Sequence, residues 1–132
     1  MTSRPERRNA HVSGQPLQPA FSVTPETVSV RMSEFVVING GQTIRTLLGS
    51  CVGVTLFDAR TRVGGLAHIV LPDSRGHPGP PGKFADTAIP ALLQAMQRQG
   101  STSGTLEAKF AGGARMFSTS TSMAIGDMNV QA

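Results

Sequence analysis

The chain has 132 residues, which suits one domain with a modest core and is too short for two ordinary domains. It has no Trp, no Tyr and six Phe, so aliphatic side chains must fill that core. The net charge is +4, but half of it comes from the first eight residues, and no basic face with interleaved aromatics follows. The composition therefore argues against a nucleic-acid partner.

The chain has a single cysteine, Cys51, so an internal disulfide is excluded. No apolar stretch approaches the roughly 18 to 20 residues that span a bilayer, and the N-terminal arginines precede no apolar run of a signal peptide. We expect a cytoplasmic protein without membrane insertion. Cys51 and the three histidines lack compact metal-ligand spacing, so no metal or other cofactor is expected.

Residues 1–22 mix Arg, Pro, Ser, Gly and Gln without hydrophobic periodicity, which predicts a disordered tail. A single domain is expected over residues 23–132. Alternation and β-branched residues from Thr27 predict one or two strands, broken near residues 33–34, and a turn follows at 39–41.

Two further strands are predicted at 51–57 and 62–71, joined by a connection of hairpin length. A helix is predicted over 84–99, where Pro90 is tolerated if Thr87 caps the helix and produces a kink if the helix begins at Phe84. The segment LEAKFAGGARMF predicts a strand that runs into a glycine turn, and the last ten residues predict the start of a helix. These elements indicate an α/β or α+β fold.

The register of the predicted hairpin brings Cys51 and His68 together. If residues 57 and 62 flank a four-residue loop, Cys51 lies directly opposite His68 on one face, with Cβ atoms about 4.5 to 5.5 Å apart. An imidazole beside a thiol can take its proton and leave a more nucleophilic thiolate. Taken singly, each residue is more often an ordinary packed side chain, so the conjunction carries the hypothesis of a cysteine hydrolase.

Small residues surround this pair in the sequence. Gly49 and Ser50 give a compact approach to Cys51, and backbone N–H groups there are candidate donors to an oxyanion. Gly64 and Gly65 are expected to leave the neighbouring strand surface low enough to admit a substrate side chain.

Five segments, in this order, resemble the chemoreceptor glutamine deamidase family, CheD: TLLGSCVGV, GGLAHIVLPDS, PGKFADTAI, LEAKFAGGARMF and IGDMN. The resemblance covers roughly residues 28–129. It implies a three-layer α/β/α sandwich, with Cys51 as nucleophile and His68 as base. A threonine completes the family's site; Thr46 is the better candidate and Thr43 the alternative.

The same resemblance implies that the substrates are glutamines on the cytoplasmic helices of chemoreceptors, converted to glutamate in chemotaxis. Family members generally continue beyond the IGDMN segment, which implies that the C-terminal part of the family fold is missing here. Two alternatives stay open. One is a catalytically idle module that binds the phosphatase CheC or receptors, and the other is a cysteine hydrolase acting on a different amide.

Overall fold

A four-stranded antiparallel sheet forms the centre of the computed structural model, which describes residues 24–114 and 125–132. The strand order is β2-β5-β4-β6. A separate parallel pair joins β1 to β3. The strands are β1 (Thr27–Ser29), β2 (Phe35–Ile38), β3 (Thr43–Arg45), β4 (Val52–Asp58), β5 (Val63–Ile69) and β6 (Leu106–Gly112). The predicted break near 33–34 is confirmed, because Ser33 has φ 66° in the turn between β1 and β2.

Helix α1 (Ala85–Arg98) covers one face of the sheet. The helix contributes Ala88, Leu92 and Met96 to an aliphatic core that also contains alternate residues of β4 and β5. Because α1 begins at Ala85, Pro90 lies in its second turn rather than its first. Proline has no N–H to donate there, so one carbonyl of the first turn lacks its usual helical partner.

The β4–β5 hairpin has a different register from the predicted one. Asp58 pairs with Val63, so the four-residue turn is 59–62 and His68 lies opposite Gly53, not opposite Cys51. The turn begins one residue later because the buried Asp58 side chain accepts a hydrogen bond from Arg60 N (3.0 Å) and its carbonyl accepts one from Arg62 N (2.8 Å). The direct pairing of Cys51 with His68 was therefore wrong by two residues.

A second helix, α2 (Ile125–Gln131), packs near β4 and confirms the helix start predicted at the end of the sequence. Strands and helices together make this an α/β fold. The single domain over 23–132 stays a prediction, and the predicted tail lies outside the described residues. In the part of the chain that the structure describes, neither helix is long and apolar enough to cross a membrane.

Candidate functional site

His68 lies on the face of β5 opposite to α1. Its neighbours Ala67 and Ile69 belong to the core beneath the helix, and side chains alternate along a strand. His68 is nevertheless only 3% exposed. Burial lowers the pKa of His68 below its ordinary value of 6.5, which favours the neutral ring.

Thr46 contacts the His68 ring and determines which nitrogen carries its proton. The Thr46 hydroxyl donates to the Val30 carbonyl at 2.8 Å and lies 2.7 Å from His68 Nδ1. A hydroxyl has one hydrogen to donate, so toward the imidazole it accepts, and Nδ1–H is the donor. The neutral ring then has an unprotonated Nε2, and that buried atom has no hydrogen-bond partner among the described residues.

The segment between Thr46 and Cys51 crosses the end of the sheet on the His68 side. Leu48 packs over Gly53, where an added Cβ would lie 3.1 Å from Leu48 Cδ1. The glycine turn after β6 holds the other end, since Gly113 N donates to the Cys51 carbonyl at 2.9 Å. Glycine is also required at 112, because φ is 106° and a Cβ would collide with the Cys51 carbonyl oxygen.

Cys51 lies one residue before β4, on the same face as His68. With Gly53 directly opposite His68, Cys51 is the diagonal neighbour, a relation with a Cα separation of roughly 7 to 8 Å in regular sheets. Within 24–114 and 125–132 no hydrogen bond joins the two side chains. The thiol is buried, and burial raises its pKa above the ordinary 9.0, so the two pKa shifts favour a neutral thiol and a neutral imidazole at rest.

The structure brings together some of the predicted site residues and separates others. Thr46 reaches the imidazole, whereas Thr43 lies in β3, paired with Thr27. Gly64 faces the His68 side and has no atom closer than 3.8 Å to an added Cβ. The expectation for Gly65 was wrong: it faces α1, where a Cβ would lie 2.7 Å from Leu92 Cδ1, so it serves helix packing.

A cavity of about 560 Å³ opens beside Thr46 and His68. Its mainly apolar wall includes Val30, Met32 and Leu47, the last two 66% and 94% exposed, and Arg31 and Arg45 complete the rim. Large exposed hydrophobic side chains next to a buried polar group are typical of a surface that binds another molecule.

Three contributors to the site were missed from the sequence. The Val30 carbonyl fixes the Thr46 hydroxyl, Gly53 makes room for Leu48 beside His68, and Asn129 reaches the chain on either side of the cysteine–histidine pair. Of the three, only Gly53 could have been found from the sequence. Once the turn is placed at 59–62, Gly53 is the residue directly opposite His68.

The fold and this site define an α/β protein that carries a buried thiol on one face of its sheet. The same face carries an imidazole that is hydrogen-bonded to a threonine hydroxyl. Residues 70–132 match the family model described as CheD chemotactic sensory transduction. The chain is 44% identical over 107 residues to a probable chemoreceptor glutamine deamidase CheD of Methanococcus maripaludis, covering 80% of this chain and 70% of that protein.

Bacterial relatives agree with this match. The chemoreceptor glutamine deamidase CheD of Thermotoga maritima is 45% identical over 104 residues, covering 78% of this chain and 66% of that protein. A probable CheD of Geobacillus kaustophilus is 45% identical over 116 residues, covering 82% and 70%. The chain belongs to the CheD family.

Proposed function

We propose that this protein is a cysteine-dependent protein-glutamine deamidase that acts in the cytoplasm on glutamine side chains of chemoreceptor helices. The observation that carries the proposal is the Thr46–His68 hydrogen bond, because it leaves Nε2 of a neutral imidazole free to accept a proton on the face that carries Cys51. The names of the relatives, chemoreceptor glutamine deamidases, supply the substrate class.

In the first half of the reaction, the Cys51 thiol gives its proton to His68 Nε2 while its sulfur bonds to the side-chain amide carbon of glutamine. The carbonyl π pair moves to oxygen and forms a tetrahedral oxyanion. The C–N bond then breaks, the imidazolium protonates the departing nitrogen, and ammonia leaves a thioester. Backbone N–H groups of the 49–51 segment are our candidates for the oxyanion donors.

In the second half, water gives a proton to His68 Nε2 and its oxygen attacks the thioester carbon. The second tetrahedral intermediate expels the Cys51 sulfur, which takes back the proton from the imidazolium. The product is glutamate, and the enzyme returns to its starting state. Each half therefore uses one proton transfer to the ring and one from it, which requires a neutral imidazole at the start.

The cavity beside His68, which Cys51 does not line within the described residues, is our candidate for the surface that receives a helix-borne glutamine. Met32 and Leu47 offer apolar contact to the side chains that flank the target residue, while the amide group enters toward His68. Arg45 adds a positive charge at the rim, which favours helix surfaces that carry acidic residues. We retain the three-layer α/β/α sandwich as a prediction, with α1 as the layer on the face opposite to His68.

A second candidate function is an interaction module that binds CheC or a receptor without deamidating it. Exposed apolar side chains favour it: Phe110 on β6 is 67% exposed, and Met128 and Val130 on α2 are 39% and 45% exposed. Because β6 is also an edge strand of the sheet among the described residues, this region offers both backbone and apolar contacts to a partner.

The two candidates are separated by incubating the protein with a chemoreceptor cytoplasmic fragment and measuring glutamine-to-glutamate conversion by peptide mass spectrometry. Wild type should convert specific glutamines, and Cys51→Ala and His68→Ala should not. Unchanged glutamines with folded wild type would contradict the deamidase. Binding of CheC or the receptor fragment under the same conditions would then support the interaction module. Conversion by Cys51→Ala would remove the cysteine as nucleophile.

A further inference from the structure

The β4–β5 ladder ends just where the predicted catalytic residues lie. Its last pair is Val52 with Ile69. Beyond it, the amides of Val70 and Leu71 both turn to the Lys83 carbonyl, at 3.0 Å each, so the two chains separate. Cys51 lies on one of the two diverging segments, and His68 lies just before the other. We call the point of divergence the fork and the two segments its branches. Some contact other than strand pairing must therefore set the distance between the branches.

Asn129 supplies that contact. Its Nδ2 donates to the Ser50 carbonyl at 3.2 Å and to the Val70 carbonyl at 2.9 Å. A primary amide nitrogen has two hydrogens, so one atom bridges both branches. Asn129 is only 5% exposed, and its Oδ1 has no hydrogen-bond partner in the part of the chain that the structure describes. Burying this amide is costly unless its donors are used, and both are used on the fork.

We propose that Asn129 is a positioning residue that holds the chain before the nucleophile and the chain after the base together, and so sets the separation of Cys51 and His68. This inference rests on the proposed function. The Ser50–Cys51 peptide is planar, so fixing the Ser50 carbonyl on Asn129 also points the Cys51 N–H away from α2. That N–H is the first candidate for an oxyanion donor.

The test compares Asn129→Ala and the isosteric Asn129→Asp, which cannot donate to two carbonyls at neutral pH, with Ser101→Ala. Ser101 is also buried, and its hydroxyl bonds to Thr61 at the opposite end of the hairpin (3.1 Å). Two rates are measured at a temperature where all variants are folded: deamidation of the receptor fragment, and alkylation of Cys51 by iodoacetamide as a function of pH and of low urea concentration.

Opening the fork should change the two rates in opposite directions. For both Asn129 variants, kcat should fall by roughly 10- to 100-fold with KM within about threefold, because positioning acts on the transition state. Cys51 alkylation should become faster, with a pH midpoint moved down toward that of an ordinary thiol, since burial is what raises the pKa of Cys51. Local opening should make this faster alkylation insensitive to low urea.

Ser101→Ala should leave kcat and the alkylation midpoint unchanged. If the Asn129 variants retain wild-type kcat, or if their faster alkylation rises with urea as global unfolding does, Asn129 has no positioning role. The alkylation experiment needs no substrate. If wild type converts no glutamine, the proposed function fails, and the alkylation midpoint of the Asn129 variants still decides whether the fork is held by this residue.

Discussion

Replacing Thr46 with valine removes one hydroxyl and keeps the shape of the side chain. Two groups lose their partner: the Val30 carbonyl at 2.8 Å and His68 Nδ1 at 2.7 Å. Unsatisfied groups in a partly buried site cost roughly 1 to 3 kcal/mol in the free energy of unfolding. Without an acceptor at Nδ1, the ring is also free to carry its proton on Nε2, where it cannot act as a base toward Cys51. We expect kcat to fall by about 10- to 100-fold, or about 1.4 to 2.7 kcal/mol.

The assay is the initial rate of glutamine conversion in the receptor fragment, measured by mass spectrometry at a temperature where all variants are folded. Thr46→Ser keeps the hydroxyl and should stay within about threefold of wild type. The matched control is Thr43→Val, an exposed position on β3, which should leave kcat unchanged. If Thr46→Val is folded and as active as wild type, the hydroxyl does not set the His68 tautomer, and our account of the base is wrong.

Three further predictions concern pH, the glycine turn and the cavity. The lowered pKa of His68 should place the acid limb of kcat/KM, which reports the free enzyme, below pH 6.5; a limb above 6.5 would contradict a buried neutral base. The unfolding free energy should decrease as pH falls through that range, because the unfolded state binds the proton more readily. Gly112→Ala should lower the unfolding free energy by more than about 1 kcal/mol in urea titrations, because φ is 106° and the added Cβ would meet the Cys51 carbonyl. The control Gly104→Ala places its Cβ in open space and should have little effect on the unfolding free energy. Leu47→Asp should raise KM for the receptor fragment and leave Tm unchanged, since this side chain is already 94% exposed; an unchanged KM would remove Leu47 from the substrate surface.

The sequence predicted β4, β5 and α1 to within one or two residues, because hydrophobic alternation or helical periodicity is strong there, but it did not predict the short strand β3. It misplaced the β4–β5 turn, because nothing in the local pattern distinguishes a turn closed by Phe57 from one closed by the buried Asp58 carboxylate. The resulting error of two residues preserved the parity of the strand. Cys51 and His68 therefore still share a face, and their role as a catalytic pair stays a prediction.

The contacts that hold the candidate site come from segments far apart in sequence. Thr46 lies 22 residues before His68, and Asn129 lies 79 residues after Ser50 and 59 after Val70. Pattern reasoning on single elements cannot pair such residues. The resemblance to a family supplied Thr46 but assigned no role to Asn129, which became visible only through its hydrogen bonds.

The directions of the two pKa shifts affect how the pair would work. A preformed thiolate–imidazolium pair needs a thiol of lowered pKa and a ring that keeps its proton, whereas burial here raises the pKa of Cys51 and lowers that of His68. In the proposed reaction, nucleophilicity would then arise during attack, when the proton moves to Nε2 as the sulfur–carbon bond forms. Such a thiol should react slowly with small electrophiles in water, and in the proposed reaction it is activated when a positioned amide excludes solvent and receives the sulfur. The hydrogen bonds of Thr46 and Asn129 matter for this reason. Proton transfer between two neutral groups depends more steeply on their separation than the attraction within a preformed ion pair does.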